Sequence, residues 1–165
     1  MITITEATSN DFKTIQEIAH QTWPVTYGEI LSKVQLDYML AAFYSEEALN
    51  ENVYEKGHRF LLAKEENVAL GFASYEHNYK QNPVTRIHKI YILPQTQGKG
   101  TGKLLIDAVE NLARENHSTA LSLNVNRFNK ALTFYQKIGF EIIAEEDIEL
   151  DHGYLMEDFV MEKQL

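Results

Sequence analysis

No cysteine occurs in the sequence, which excludes disulfide bonds and zinc–thiolate sites and fits a cytoplasmic address. Proline is scarce: Pro24, Pro83 and Pro94 fall singly between apparent elements, and no Pro/Ser-rich linker, repeat or low-complexity tract divides the chain. There is no run of about 18 apolar residues, and the opening MITITEATSNDF carries no basic-then-apolar signal. A soluble, unexported protein with no membrane partner is therefore expected. Positive charge is also short, with 15 Lys+Arg against 24 Asp+Glu, a formal −9. Such a surface disfavours nucleic acid as a partner, because duplex affinity rests on neutralising phosphates. It attracts cations, although net negative charge also serves solubility alone.

What is present suits one domain spanning 1–165, since a chain of 165 residues with 44% hydrophobic content can bury roughly 70% of its unfolded surface. Residues 2–6 alternate like a strand. Ser9, Asn10 and Asp11 offer caps for a helix carrying Phe12, Ile15, Ile18 and Ala19 and ending near Pro24. A second helix after Ser32 shows Leu36, Met39, Leu40 and Phe43 on one face, and a third starts at Ser45 and stops at Gly57.

The period then changes from 3.6 to 2. HRFLLAKEENVALGFASYEHN reads as a hairpin turning at Glu65, Glu66 and Asn67, and VTRIHKIYIL as a further strand. A helix from about Gly100 to Asn116 follows, with Leu104, Leu105, Ala108, Leu112 and Val109 as its apolar stripe. ALSLNVN is a strand, NKALTFYQKIGF a short helix closed by Gly139, and 140–148 with 154–162 a final hairpin around Asp151, His152 and Gly153. The order βααα-βββ-α-β-α-ββ predicts an α+β fold, with helices on both faces of a mixed, mostly antiparallel sheet of about seven strands.

Between the fifth-from-last element and its neighbour lies QGKGTG, which places Gly98, Gly100 and Gly102 at a strand-to-helix junction. Glycines there let backbone N–H groups point outward and let a bulky anion approach, with the helix dipole adding favourable charge. Two nucleotide motifs fail. A P-loop needs glycine where Gln97 stands and Ser or Thr where Leu104 stands, and the dinucleotide fingerprint needs G-x-G-x-x-G rather than G-x-G-x-G.

The pattern that fits is Q-x-x-G-x-G, formed by Gln97, Gly100 and Gly102. Downstream, a strand and an asparagine-bearing loop lead to A-x-x-x-Y-x-x-x-G-F, formed by Ala131, Tyr135, Gly139 and Phe140. Together these resemble the GNAT superfamily of acyl-coenzyme A-dependent N-acyltransferases, and the element order extends the resemblance over nearly the whole chain. One position departs from the usual pattern: Phe128 stands where the asparagine is commonest and Asn129 follows it, so Asn129 can reach a cofactor, cap the helix, or do both.

The resemblance implies acetyl-CoA as cosubstrate and no metal, and no His-x-His or His-x-x-x-His spacing suggests one. It implies that the backbone of Ile90, Tyr91 and Ile92 holds the pantetheine arm like an added strand, with the Ile92 N–H facing the thioester carbonyl. Amides from Gln97 through Gly98, Lys99, Gly100 and Thr101 to Gly102 would cradle the pyrophosphate, with charge from Lys99 or Lys103. Asn129 joins the cofactor side, and Tyr135 is the general acid. The glutamate base of some members is missing, since the matching strand reads RIHKIYI. Glu76, His77 and His88 are the titratable residues near it.

QTWPVTYGEILS, with Trp23 and Tyr27, and GYLMEDFVMEK look like the corresponding stretches of bacterial spermine/spermidine acetyltransferases. Trp23, Tyr27, Glu76 and His88 are thus the expected acceptor-side residues, and a small cationic amine the expected acceptor. Alternatives are a protein or peptide amine as acceptor, and a non-catalytic acyl-CoA sensor. A homodimer covering an exposed edge at Tyr154 to Met161 is a further expectation.

Overall fold

A computed structural model describes residues 1–165. The strands are β1 (Ile2–Glu6), β2 (Arg59–Glu65), β3 (Val68–Glu76), β4 (Val84–Ile92), β5 (Ala120–Asn126), β6 (Glu141–Glu149) and β7 (Leu155–Gln164). The helices are α1 (Phe12–Tyr27), α2 (Lys33–Tyr44), α3 (Glu46–Tyr54), α4 (Thr101–Glu115) and α5 (Ala131–Lys137). One sheet carries all strands in the order β1-β2-β3-β4-β5-β7-β6. Every neighbouring pair is antiparallel except β4 with β5, which is parallel and needs the α4 crossover between them. No helix is long and apolar enough to cross a membrane.

The sheet separates two cores. On one face α4 and α5 bury Leu105, Val109, Tyr135 and Phe140 against Leu121, Leu123 and Met161. On the other, α1 and α2 bury Ile15, Trp23, Leu40 and Tyr44 against Phe60, Leu62 and Phe72. The helical starts follow their caps: Ser32 and Ser45 accept from the backbone N–H of Gln35 and Ala48, each at 3.1 Å. Ahead of α1 a 3-10 turn, Ser9–Asp11, is capped by Thr8, whose own N–H donates to Asp11 Oδ2 at 2.8 Å, and Asp11 holds the N-cap position of α1 without a side-chain cap bond.

Three expectations need correction. α1 runs through Pro24 to Tyr27, because the aromatic contacts of Trp23 and Tyr27 hold its last turn on the sheet. The stripe of α4 is rotated: Leu105, Ile106, Val109 and Ala113 are buried while Leu104 is 39% exposed, since Leu105 rather than Leu104 points to the sheet. Finally, β7 is not an edge. It inserts between β5 and β6, so the exposed edge is β6, where Glu141, Glu145, Glu146, Asp147 and Glu149 discourage strand addition.

Gly71 marks the closest backbone approach in the sheet. A Cβ there would lie 2.7 Å from the Tyr91 carbonyl oxygen and 2.7 Å from Ile92 Cδ1. Gly71→Ala is therefore expected to destabilise the fold by roughly 1–3 kcal/mol, read as a lower denaturant midpoint at unchanged slope.

Candidate active site

The β4–β5 ladder lasts only from Val84–Ala120 to Ile87–Leu123. Beyond it β5 continues on β7 as far as Asn126, while β4 continues on β3 as far as Ile92, so the two strands part and leave a cleft. His88 falls at an irregularity in β4 pairing, opposite the step between Ser74 and Tyr75. The cleft is narrow, about 40 Å³, and is lined by Tyr27, His88, Tyr91, Asn124, Asn129 and Tyr135 among others. The Leu93 N–H donates to Leu70 O of β3 at 2.8 Å. Alternation along the strand then turns the N–H groups of Ile92 and Ile90 away from β3, towards the gap.

The glycine-rich loop lies at the mouth of this gap. The Gln97 N–H is held by Pro94 O at 3.4 Å, and the first helical bond runs from Leu104 N–H to Gly100 O at 3.0 Å. Amides 98–103 between them have no partner in the fold. Gly98 and Gly100 take φ of +90° and +76°, and a Cβ at either would meet only open space, which is the geometry of an anion cradle capped by the α4 dipole. Thr101, 2% exposed, adds a hydroxyl with no partner. These residues fit a pyrophosphate. The lysines are engaged elsewhere: Lys99 bonds Glu65 at 3.1 Å, and Lys103 bonds Asp107 at 2.8 Å on the exposed side of α4.

Aromatic hydroxyls line the other wall. Tyr27 and Tyr91 share a 2.9 Å hydrogen bond. Burial pushes Tyr27 up to about 12; the bond to Tyr91 opposes this, and the Asp158 charge adds to it. Tyr135 sits between Phe134 and Phe140, 8% exposed, and burial with the nearby Tyr27 raises its hydroxyl above the usual phenol value. It stays protonated at neutral pH and available as a donor. Asn129 accepts from the Ala131 N–H at 2.9 Å, which caps α5, and also lines the cleft.

Trp23 does not line it. At 3% exposure it is enclosed by Tyr27, Phe43, Tyr44 and Tyr91 and supports the cleft wall from behind. Glu76 is also set back, bonded through Oε1 to His88 Nε2 at 2.9 Å. His58 reaches the same oxygen at 3.5 Å and stacks on His88 with centroids 3.8 Å apart and planes 14° from parallel. Burial lowers His58 to about 4 and His88 to about 2, helped by Lys89, itself lowered by burial to about 8. The His88–Glu76 contact is therefore a hydrogen bond of a neutral imidazole rather than an ion pair. One ligand atom each from His58, Glu76 and His88 lie within 4.8 Å of one another.

Sequence reasoning missed His58, Asn124 and Asp158. Asp158 is 2% exposed on β7, and burial raises it to about 6, with Asn124 bonding and the two arginines opposing and Glu146 reinforcing. Next to it an open groove of about 390 Å³ crosses β4, β5, β7 and β6, lined by Tyr79, Arg86, Ser122, Glu145, Glu146 and Glu162. Since Ile87 and Leu123 face α4, their neighbours Arg86 and Ser122 face the opposite side, the one on which α1 packs. A larger depression of about 510 Å³ along α3 is lined by Glu46, Glu47, Asn50, Glu51, Tyr54 and Glu55, a solvated helix face.

Residues 29–163 match the family model for the acetyltransferase (GNAT) domain. The chain belongs to the GNAT acetyltransferases. Its class is acetyl-CoA-dependent N-acetyltransferase, with acetyl-CoA as cosubstrate. Among relatives, spermidine N(1)-acetyltransferase of Thermoplasma acidophilum is 28% identical over 168 residues, covering 99% of this chain and 97% of the relative. The uncharacterized N-acetyltransferase YuaI of Bacillus subtilis is 27% identical over 153 residues, covering 91% and 86%. The crystal structure of PaiA N-acetyltransferase from Thermoplasma acidophilum, in complex with coenzyme A, superposes with a TM-score of 0.83 at 26% identity, covering 100% of this chain and 99% of that one.

In this GNAT chain the neutral histidines couple stability to acid. Their folded values lie below the ordinary 6.5, so the stability they contribute is complete above pH 6.5 and is lost as pH falls towards about 4 for His58 and lower for His88. Asp158, raised from 3.8 to about 6, has the opposite sign within that narrower window. The melting temperature is expected to drop from pH 7 to pH 5, and to drop less in His58→Gln. An equal drop in that variant would remove His58 from the account.

Proposed function

We propose that this GNAT enzyme transfers an acetyl group to a primary amine of a small cationic acceptor, a polyamine being the class best suited. The observation that carries this reading is the groove across β4, β5, β7 and β6, which gathers three carboxylates, Glu145, Glu146 and Glu162, against two basic side chains, Lys80 and Arg86. Each end of the cleft suits one reactant: unpaired amides for the phosphates, carboxylates for a cation. The likeness to a spermidine N(1)-acetyltransferase supports the same assignment.

Acetyl-CoA supplies the activated thioester. The amides of Gln97, Gly98, Lys99, Gly100, Thr101 and Gly102 anchor its phosphates, while β4 at Ile90, Tyr91 and Ile92 offers the free edge for its pantetheine arm. The Ile92 N–H is placed to stabilise negative charge on the carbonyl oxygen as the amine attacks. The Tyr135 hydroxyl gives its proton to the departing thiolate, and the proton lost from the attacking nitrogen returns through water to the tyrosinate, so the amide and the free thiol are both left neutral. Tyr27 and His88 shape the acceptor side, with Glu76 orienting the His88 ring and Trp23 buttressing Tyr27. The family admits peptide acceptors as well, but the groove's carboxylates favour a free polycation.

The test follows free thiol release from acetyl-CoA with spermidine, spermine, simple diamines, amino acids and short peptides. Turnover confined to polyamines is expected, and preference for amino acids or peptides would overturn the acceptor. In Tyr135→Phe, kcat is expected to fall roughly 10²-fold with coenzyme A affinity unchanged. Unaltered kcat would remove Tyr135 as the acid.

A further inference from the structure

Buried acceptor oxygens almost always have donors, and two adjacent ones here do not. Asp158 Oδ2 accepts from Asn124 Nδ2 at 3.4 Å, while Asp158 Oδ1 is enclosed and unpartnered. Asn124 also donates to Glu146 Oε2 at 3.1 Å, and its own Oδ1 is likewise enclosed and unpartnered. Arg86 and Arg127 oppose the rise of Asp158 by charge, but neither donates a hydrogen bond to it. Arg86 donates to Ser122 at 2.7 Å and lies over the Tyr79 ring at 4.9 Å, and Arg127 donates to Asp147 at 2.6 Å.

Their place in the fold gives these orphan oxygens a meaning. Asn124 lines the cleft with Tyr27 and Tyr135. Asp158 lies in register with Asn126 of β5 and Glu146 of β6, close enough to Tyr27 for its charge to act on that hydroxyl. A buried carboxylate oxygen that no arginine bonds calls for a cationic donor, and two free acceptors call for several N–H donors. An ammonium supplies both, with three donors and no acceptor of its own. A metal ion is less suited, because the Asn124 amide group points its N–H donors at both carboxylates.

We propose that Asp158 and Asn124, with Glu146 at the rim, form the seat that holds an ammonium group of the acceptor beside the cleft. This rests on the reading of a cationic acceptor and names the residues that select it. The cleft has room for no more than a few waters, so seating an ammonium requires the two enclosed oxygens to become accessible as the acceptor enters. Holding one ammonium of a polyamine there leaves another amine of the same molecule for the thioester. Specificity then lies in charge spacing rather than in shape.

The experiment is steady-state kinetics of the full chain with spermidine varied, comparing wild type with Asp158→Asn, which keeps size and shape. The expected result is a rise in spermidine KM of about tenfold or more, a smaller change in kcat and an unchanged acetyl-CoA KM. The wild-type spermidine KM also rises as pH falls through about 6, where Asp158 titrates among Tyr27, Arg86, Arg127 and Glu146, and the variant loses that dependence. If Asp158→Asn does not fold, Glu146→Gln on the exposed rim serves instead, with spermidine KM expected to rise about twofold to fivefold. An unchanged spermidine KM overturns the seat while leaving a polyamine acetyltransferase intact. A fall in kcat of about 100-fold at constant KM also overturns it, because that is the signature of proton transfer. A wild-type enzyme that turns over no cationic amine overturns both readings.

Discussion

The separation of β4 from β5 is the constraint on which the rest depends. A parallel pair must be joined by a crossover, so α4 lies between them in sequence and its N-terminus is delivered to the mouth of the gap. β5 holds its course because β7 pairs with it over its whole length, and β4 holds its course because β3 does the same on the other side. The backbone of β4 at Ile90 and Tyr91 and the Tyr135 side chain line one space as a consequence, and Gly102 of the glycine-rich loop lies beside Ile92. Sheet and anion cradle are thus one device.

The electrostatics divide along the same line. The cradle side presents N–H groups and a helix dipole, and both of its lysines are tied to carboxylates, so backbone rather than side chains gives the field there. The acceptor side presents carboxylates and orphaned oxygens on β5, β6 and β7. Between them lie tyrosines that burial keeps protonated and histidines that burial keeps neutral. On the proposed reading of a cationic amine as acceptor, each partner's charge would be met at its own end, with an uncharged, hydrogen-bonding middle.

Much of the fold was legible because its signals are local. The serine caps, the change of hydrophobic period, the turn at Glu66 and Asn67 and the glycines before α4 each depend on residues a few positions apart. The errors arose where a neighbour decided the outcome. Pro24 reads as a helix end until Trp23 and Tyr27 are seen stacked on Tyr91, and Leu104 reads as core until the sheet selects Leu105 instead. The last hairpin was expected with an open second strand, but which of two strands meets β5 is a question of sheet order, on which alternation is silent.

By itself the sequence determined the α+β class, the glycine-rich strand-to-helix junction at Gln97 to Gly102 and the placing of Tyr135 on a short helix, since spacing within one segment fixes each of these. Tertiary structure alone decided the acceptor side. His58, Glu76 and His88 come from separate stretches and meet only because β2, β3 and β4 are adjacent. Asn124, Glu146 and Asp158 belong to three strands that are neighbours only through the insertion of β7 between β5 and β6. Burial, which raised Asp158 and lowered the histidines, is a property of that assembly and has no counterpart in the order of residues along the chain.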